Sequence, residues 1–275
     1  MSSARKRACL DAMGIDRWQL DTGRAGAGRL QRRPPEGQSG SPDPQLPTLA
    51  GAAPTLHDAD ETGRAAPSGA RIDPTVKPSG DPVPPAIAAP LTLDWDALRA
   101  AVVRCQACAL HQTRTQTVFG VGDQHARLMV IGEAPGADED RQGEPFVGRA
   151  GQLLTAMLAA IGFARDQVYI ANIIKCRPPG NRDPHVEETA ACQPFLHRQI
   201  ALIQPRLILS VGRISAHSLL GTEESVGRLR GRTHRFEPGD IPLLVTYHPA
   251  YLLRRPQEKA KAWQDLQAAF RLLSD

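Results

Sequence analysis

The sequence predicts an α/β fold: a three-layer α/β/α sandwich around a mainly parallel four-stranded sheet, with a disordered N-terminal tail. Three observations predict it. Four short apolar runs, residues 128–131, 168–174, 207–212 and 243–246, have the length and composition of buried strands. Helix-length amphipathic stretches separate them, and strands that alternate with helices argue for a parallel sheet covered on both faces. Finally, the glycines and prolines, 24 of each, are spread unevenly, and residues 23–90 carry almost no large apolar side chains.

Residues 1–22 form a short segment of their own, with Met13, Ile15, Trp18 and Leu20 set among Arg5, Lys6, Arg7 and Arg17. An apolar tail of this kind is a candidate partner-binding peptide. Residues 23–90 are rich in Gly, Pro, Ala, Ser and Asp. They cannot bury enough surface to offset the entropy of ordering them, and read as a disordered linker. The folded domain is therefore expected over residues 91–275.

Within it, a helix over 93–104 leads into Cys105-Gln106-Ala107-Cys108. Residues 113–122 are polar and glycine-bearing, and are expected to run extended along the surface. The strand at 128–131 ends in Gly132-Glu133-Ala134-Pro135-Gly136, which neither extends a strand nor starts a regular helix. An acidic stretch, Pro145-Phe146-Val147-Gly148 and a helix over 149–161 follow. The second strand runs into the loop Lys175 to Arg182, and a helix spans 186–203. The third strand leads to a short helix over 213–220, residues 226–236 suggest a basic hairpin, and the fourth strand ends at Tyr247-His248-Pro249. A last helix covers 257–273.

Composition narrows the function. A formal net charge of +4 and a pI near 8.9 are compatible with a polyanionic partner. No apolar run is long enough to cross a bilayer, and the N-terminus lacks the apolar core of a secretion signal. A reducing cytoplasmic setting is expected, and the five cysteines are expected to be reduced thiols or metal ligands. Cys105 and Cys108 form a C-x2-C, while Cys176 and Cys192 stand apart. Four thiolates suit zinc or an iron–sulfur cluster. Zinc ribbons usually present two C-x2-C pairs, so a [4Fe–4S] cluster is the first choice and zinc the second.

The glycine-rich loop after the first strand lies where open α/β sheets bind ligands, at the carboxyl ends of strands. Its spacing matches neither a dinucleotide fingerprint nor a phosphate-binding P-loop. Taken together, Gly132-Glu133-Ala134-Pro135-Gly136, Pro145-Phe146-Val147-Gly148, Asn172-Ile173-Ile174-Lys175-Cys176-Arg177-Pro178-Pro179 and His248-Pro249-Ala250-Tyr251-Leu252-Leu253-Arg254 resemble the family 4, iron–sulfur, uracil-DNA glycosylases. The resemblance covers about residues 93–273. It implies hydrolysis of the N-glycosidic bond of uracil in DNA, at the start of base excision repair, by a monomer of the bacterial nucleoid. It also implies a site. Gly132, Glu133 and Ala134 would bind uracil through the loop backbone, Phe146 would stack on the base, and Asn172 would read its N3–H and O4. His248 would bond O2, and Glu139 would line the pocket near C5 and help exclude thymine. His248, Glu133 and Asn172 would be the catalytic group, with Lys175, Arg177, Leu252 and Arg254 on DNA and Cys105, Cys108, Cys176 and Cys192 on the cluster. Where family 1 relatives carry a water-orienting Asp, this chain has Ala134.

Two other readings stay open from the sequence. One is a non-catalytic, metal-stapled DNA-binding or polymerase-associated module of the same fold. The other is a covalent uracil-binding relative, disfavoured because Arg177-Pro178-Pro179-Gly180 stands where that group carries a basic insertion. Separately, Met13-Gly14-Ile15, Trp18 and Leu20 resemble the peptide by which the psi subunit of the bacterial clamp loader grips the chi subunit, which implies a chi-like partner for residues 1–22.

Overall fold

The computed structural model describes residues 90–274 and the backbone of two short strands, β1 (Trp18–Leu20) and β2 (Leu30–Arg32), which pair antiparallel. Most of the expected binding peptide and linker lies outside the described residues.

The central sheet has six strands: β3 (Val121–Gly122), β4 (Leu128–Gly132), β5 (Tyr169–Asn172), β6 (Leu207–Val211), β7 (His234–Phe236) and β8 (Ile241–Thr246), in the order β3-β5-β4-β6-β8-β7. The four inner strands are parallel. They are the four strands expected from the sequence. The outer two, β3 and β7, pair antiparallel and cap the edges. The basic stretch 226–236 is not a hairpin of its own as expected: residues 226–229 are helical, and only its last three residues, β7, pair with β8.

Eight helices among the described residues surround the sheet: α1 (Trp95–Arg104), α2 (Ala137–Gln142), α3 (Arg149–Ala160), α4 (Val186–Ile203), α5 (Arg213–Leu220), α6 (Val226–Leu229), α7 (Pro249–Arg254) and α8 (Lys259–Ser274). Strand residues alternate between two cores. Met129 and Ile131 pack with α1, α4 and α5 through Leu98, Val102, Leu196, Ile200 and Ala216. Leu128 and Val130 pack with α3 and α8 through Leu154, Leu158, Leu266 and Ala269. This is the three-layer sandwich.

Helix starts follow capping chemistry. Asp94 accepts from the Ala97 N–H at 2.8 Å, and Glu188 reaches back to the His185 N–H at 2.8 Å. The acidic run 137–142 folds as α2, for which the sequence carried no apolar stripe. Its Asp140, 3% exposed, accepts the Thr115 N–H with both oxygens, at 2.9 and 3.1 Å. Residues 113–122 lie on the surface as expected at Thr113, Thr115, Gln116 and Gly122, but Val118 and Phe119 between them are buried. No helix among the described residues is long and apolar enough to cross a membrane.

Candidate active site

The register brings three loops to one rim. Gly132 at the end of β4 pairs with Asn172 at the end of β5, and Thr246 at the end of β8 lies two residues before His248. Chain order places β5 on one side of β4 and β6 on the other. The crevice at such a switch point, above the carboxyl ends of the strands, is where these sheets take ligands. A cavity of about 480 Å³ lies there, lined by Glu133, Ala134, Glu139, Phe146, Asn172 and His248, with Tyr251 and Arg254 at one side.

Asn172 is 2% exposed, and its Oδ1 has no hydrogen-bond partner. A buried acceptor left unpaired costs about 1–3 kcal/mol. Here it lines a cavity that a donor can enter.

Phe146 adopts φ +56°, in the left-handed region that bulky residues avoid. The strain is held in place by packing. A Cβ on Gly151 would sit 1.7 Å from the Phe146 carbonyl oxygen, and one on Gly132 would sit 2.5 Å from both Phe146 Cζ and Asn172 Oδ1. Arg165 donates to the Pro145 carbonyl, just upstream. Only glycine fits at 151. We expect Gly151→Ala to lower stability by about 1–3 kcal/mol in urea denaturation, as overpacking does; an unchanged midpoint would mean the turn has slack.

The Phe146 ring lies 5.6 Å from the His248 ring, tilted by 31°. His248 caps α7, and its Nδ1 accepts the Ala250 N–H at 3.1 Å. A neutral imidazole with an accepting Nδ1 carries its proton on Nε2. Burial first, then the Arg254 charge, push its pKa down to about 4, against the opposing pull of Glu139. The ring is neutral at pH 7 and a donor at Nε2.

Glu133 is the other perturbed group. Burial first, then the Asp183 carboxylate, raise its pKa to about 7, and Arg213 opposes them. Asp183 in turn pairs with Arg213.

Glu139 lines the cavity, but its carboxylate is occupied. Oε2 accepts from the Gly136 N–H at 3.1 Å, and Oε1 accepts from the Val147 and Gly148 N–H groups at 3.0 and 3.3 Å. It clamps the loop after β4 to the loop that carries Phe146.

Two residues expected on DNA are not available to it. Lys175 is 1% exposed; its ammonium donates to the Asn172 carbonyl at 3.0 Å and to Gln199 Oε1 at 2.6 Å, and burial lowers its pKa to about 8. Leu252 is 0% exposed and packs in the core beside α3 and α8, because α7 turns that side chain inward. Its neighbour Leu253 is exposed instead. Arg177 is half-buried and bonds Asn181 at 2.8 Å, while Arg254 is exposed at the cavity edge. Two other basic residues near the mouth are neutralised: Arg182 by Glu188, and Arg230 by Asp265.

On the far side of Asn172, Cys105, Cys108, Cys176 and Cys192 line a single pocket with His111, Arg114 and Lys175. Arg114 Nη1 donates to Cys176 Sγ at 3.0 Å, and the Lys175 N–H donates to Cys192 Sγ at 3.3 Å. Burial pushes the Cys108 and Cys176 thiols up and the Cys192 thiol to about 12. Among the described residues, no group of three or more His, Cys, Asp or Glu is placed to hold one metal ion.

Sequence reasoning missed Tyr251 as a cavity residue and Glu139 as a clamp. Glycine has no side chain to cap with, but a Glu three residues on can reach back to its N–H, which is the half of a capping box that pointed to the second.

The family model described as "Uracil DNA glycosylase superfamily" matches residues 119–267. The chain is 42% identical over 172 residues to a type-4 uracil-DNA glycosylase of Archaeoglobus fulgidus, covering 60% of this chain and 86% of that one. It is 45% identical over 154 residues to a type-4 uracil-DNA glycosylase of Thermotoga maritima, covering 56% and 80%. It is also 28% identical over 165 residues to a DNA polymerase of Bacillus phage SP01, covering 60% of this chain but only 18% of the polymerase.

Proposed function

Because the chain belongs to the uracil DNA glycosylase superfamily, and within it to the type-4 enzymes, we propose how its cavity performs that reaction. The enzyme hydrolyses the N-glycosidic bond of uracil in DNA, releasing uracil and leaving an abasic site for repair. The observation that carries our assignment of roles is the unpaired, buried Oδ1 of Asn172. In an extruded uracil, N3–H is the donor that meets it, and O4 accepts from the same amide. Cytosine presents the opposite pattern and leaves both groups unmatched.

The base stacks on Phe146. As the N1–C1′ bond breaks, its electron pair passes into the pyrimidine and collects largely on O2. His248 Nε2–H donates to O2, a bond that strengthens as charge develops. The loop backbone at Gly132, Glu133 and Ala134 supplies further donors. Water then adds to the oxocarbenium-like C1′. Glu139 acts by holding the two loops in register, which sets the cavity wall near C5. Arg177 and Arg254 meet phosphates, and affinity falls with salt. Retention of Asn172, Phe146 and His248 around one cavity favours an enzyme over a non-catalytic module. A uracil-bearing oligonucleotide incubated with the protein and treated with alkali should be cut at the uracil; an intact strand supports the binding module, and a covalent adduct on a denaturing gel supports the third reading.

Most of the rate comes from stabilising the departing uracil, with Glu133 in a lesser role on the water. Its pKa is raised from 4.5 to about 7, so the carboxylate forms only as pH rises through about 7. The single-turnover rate should climb over that window and flatten in Glu133→Gln. A Glu133→Gln loss as deep as that of His248→Ala would reverse this division of labour.

The four cysteines hold a [4Fe–4S] cluster. Zinc draws four sulfurs to about 2.3 Å from one point, whereas a cubane takes one thiolate per iron. Four cysteines line one pocket, one of them in each of two separate segments beside a lone C-x2-C, and it is this donor set that favours the cubane over a two-pair zinc ribbon. N–H donors already aimed at two of the sulfurs suit thiolates that would ligate the cluster. When bound, the cluster supplies a structural tie between α1, the loop after β5 and α4. Purified protein should be brown with absorption near 400 nm, and Cys176→Ala should lose both the colour and several kcal/mol of stability; colourless protein with four bound sulfurs and one zinc would favour the second choice.

Residues 91–275 form the catalytic unit, joined by the linker to residues 1–22. That peptide recruits a clamp-loader chi-like subunit in the cytoplasm. Deleting it should abolish co-purification with chi and leave uracil release unchanged; equal binding without it would remove the assignment.

A further inference from the structure

One aromatic at the cavity has no part in the chemistry above. Tyr251, on α7, lines the cavity beside Phe146, His248 and Arg254. Its ring stacks on Tyr247, with centroids 5.1 Å apart and planes 30° from parallel. Behind Tyr247 lies the Arg230 guanidinium, 5.9 Å from the ring centroid. Arg230 is itself fixed. It donates to both Asp265 oxygens, at 3.0 and 2.9 Å, and to the Lys261 carbonyl at 2.6 Å. Asp265 is 2% exposed and also accepts from Thr246 Oγ1 at 2.9 Å.

The result is a ladder, Arg230–Tyr247–Tyr251, anchored in the core at one end and open to the cavity at the other. Both tyrosines pack against the edge of the core that Leu252 enters, yet Tyr251 stays half-buried and keeps part of its ring on the cavity. A ring held rigid from behind loses little entropy when it binds. The cavity, at about 480 Å³, has the size that holds a drug-sized ligand, so a single pyrimidine leaves part of it empty. Exposed Arg254, one turn along, adds a cation beside the ring.

We propose that Tyr251 is a stacking platform for the nucleobase next to the uracil in the same strand, with Tyr247 and Arg230 as positioning residues behind it and Arg254 on the intervening phosphate. This rests on the uracil-DNA reading above. Aromatic platforms of this kind tolerate any base, since every base has a π-face. The site therefore senses that a neighbour is present, not which one it is.

The test uses the full chain and single-stranded oligonucleotides containing one uracil. The neighbouring nucleotide on the 5′ side, or on the 3′ side, is replaced by a base-less residue. Affinity is read by fluorescence anisotropy and uracil release by single-turnover kinetics. Stacking on one ring corresponds to about tenfold in affinity. For the parent chain, removing the base on one side should weaken binding by about that factor. Tyr251→Leu should weaken binding of the intact oligonucleotide equally, and removing the same base should then cost nothing further. Tyr251→Phe should match the parent, and Tyr247→Leu should fall between. The proposal is overturned if removing neither neighbouring base weakens the parent, if the removal that weakens the parent costs Tyr251→Leu as much, or if Tyr251→Leu binds the intact strand as well as the parent does. Failure of uracil release with the Tyr251-dependent stacking intact would overturn the enzymatic reading instead.

Discussion

His248→Ala is expected to slow uracil release by about 10²–10³-fold, with little change in half-saturating DNA concentration, as loss of one preorganised donor to a developing oxyanion does. Three features make it the deepest single loss. The Nδ1 bond to the Ala250 N–H leaves the proton on Nε2. Burial with a pKa near 4 keeps the ring neutral at working pH, so the donor needs no prior protonation. The Phe146 ring, 5.6 Å away on the same cavity, gives the base a face to stack on beside the donor. A neutral donor contributes more to the transition state than to neutral bound uracil, so the effect falls on the rate. It also predicts a flat profile from pH 5 to 6 once the Glu133 contribution is removed, since no imidazolium forms there. In Glu133→Gln, a rate that still depends on a group titrating near 6.5 would contradict a neutral His248.

Asn172→Ala is expected to cost about 10²–10³ in kcat/KM while lowering stability by no more than about 1 kcal/mol. The combination is unusual for a residue 2% exposed at the end of a central strand. It follows from the unpaired Oδ1. In the free enzyme this atom is a cost, and its removal offsets much of the packing lost with the side chain. Binding of uracil turns the cost into a bond. Kinetics and urea denaturation of the one variant check both halves. A variant that loses activity and several kcal/mol of stability together would show that Asn172 supports the strand end more than the substrate.

The parallel core and most of the rim were readable from residue order. Apolar runs of strand length marked β4, β5, β6 and β8, and three of them, all but β6, ended in a motif that the register then placed on one edge: Gly132 beside Asn172, and His248 just past β8. Burial was less readable. Lys175 looked like a phosphate ligand because it sits among Arg177 and Arg182, yet its ammonium is satisfied inside by the Asn172 carbonyl and Gln199, which lies 24 residues away in the chain. Leu252 looked like a wedge because Leu253 and Arg254 follow it; the single turn of α7 decides which leucine faces the core. Helix α2 reads as a solvated acidic run until Asp140 and Glu139 are seen to bind backbone N–H groups of other segments. The edge strand β3 has two residues, too few for any periodicity. The Arg230–Tyr247–Tyr251 ladder joins residues from α7, the end of β8 and the loop after α6, and no local pattern foretells it.

The most direct measurement is a crystal structure of the protein with free uracil. The ring should lie on Phe146, with Asn172 paired to N3 and O4 and His248 Nε2 within hydrogen-bond distance of O2. Uracil bound elsewhere, or bound here with Oδ1 still unpaired and His248 turned away from O2, would contradict the assignment.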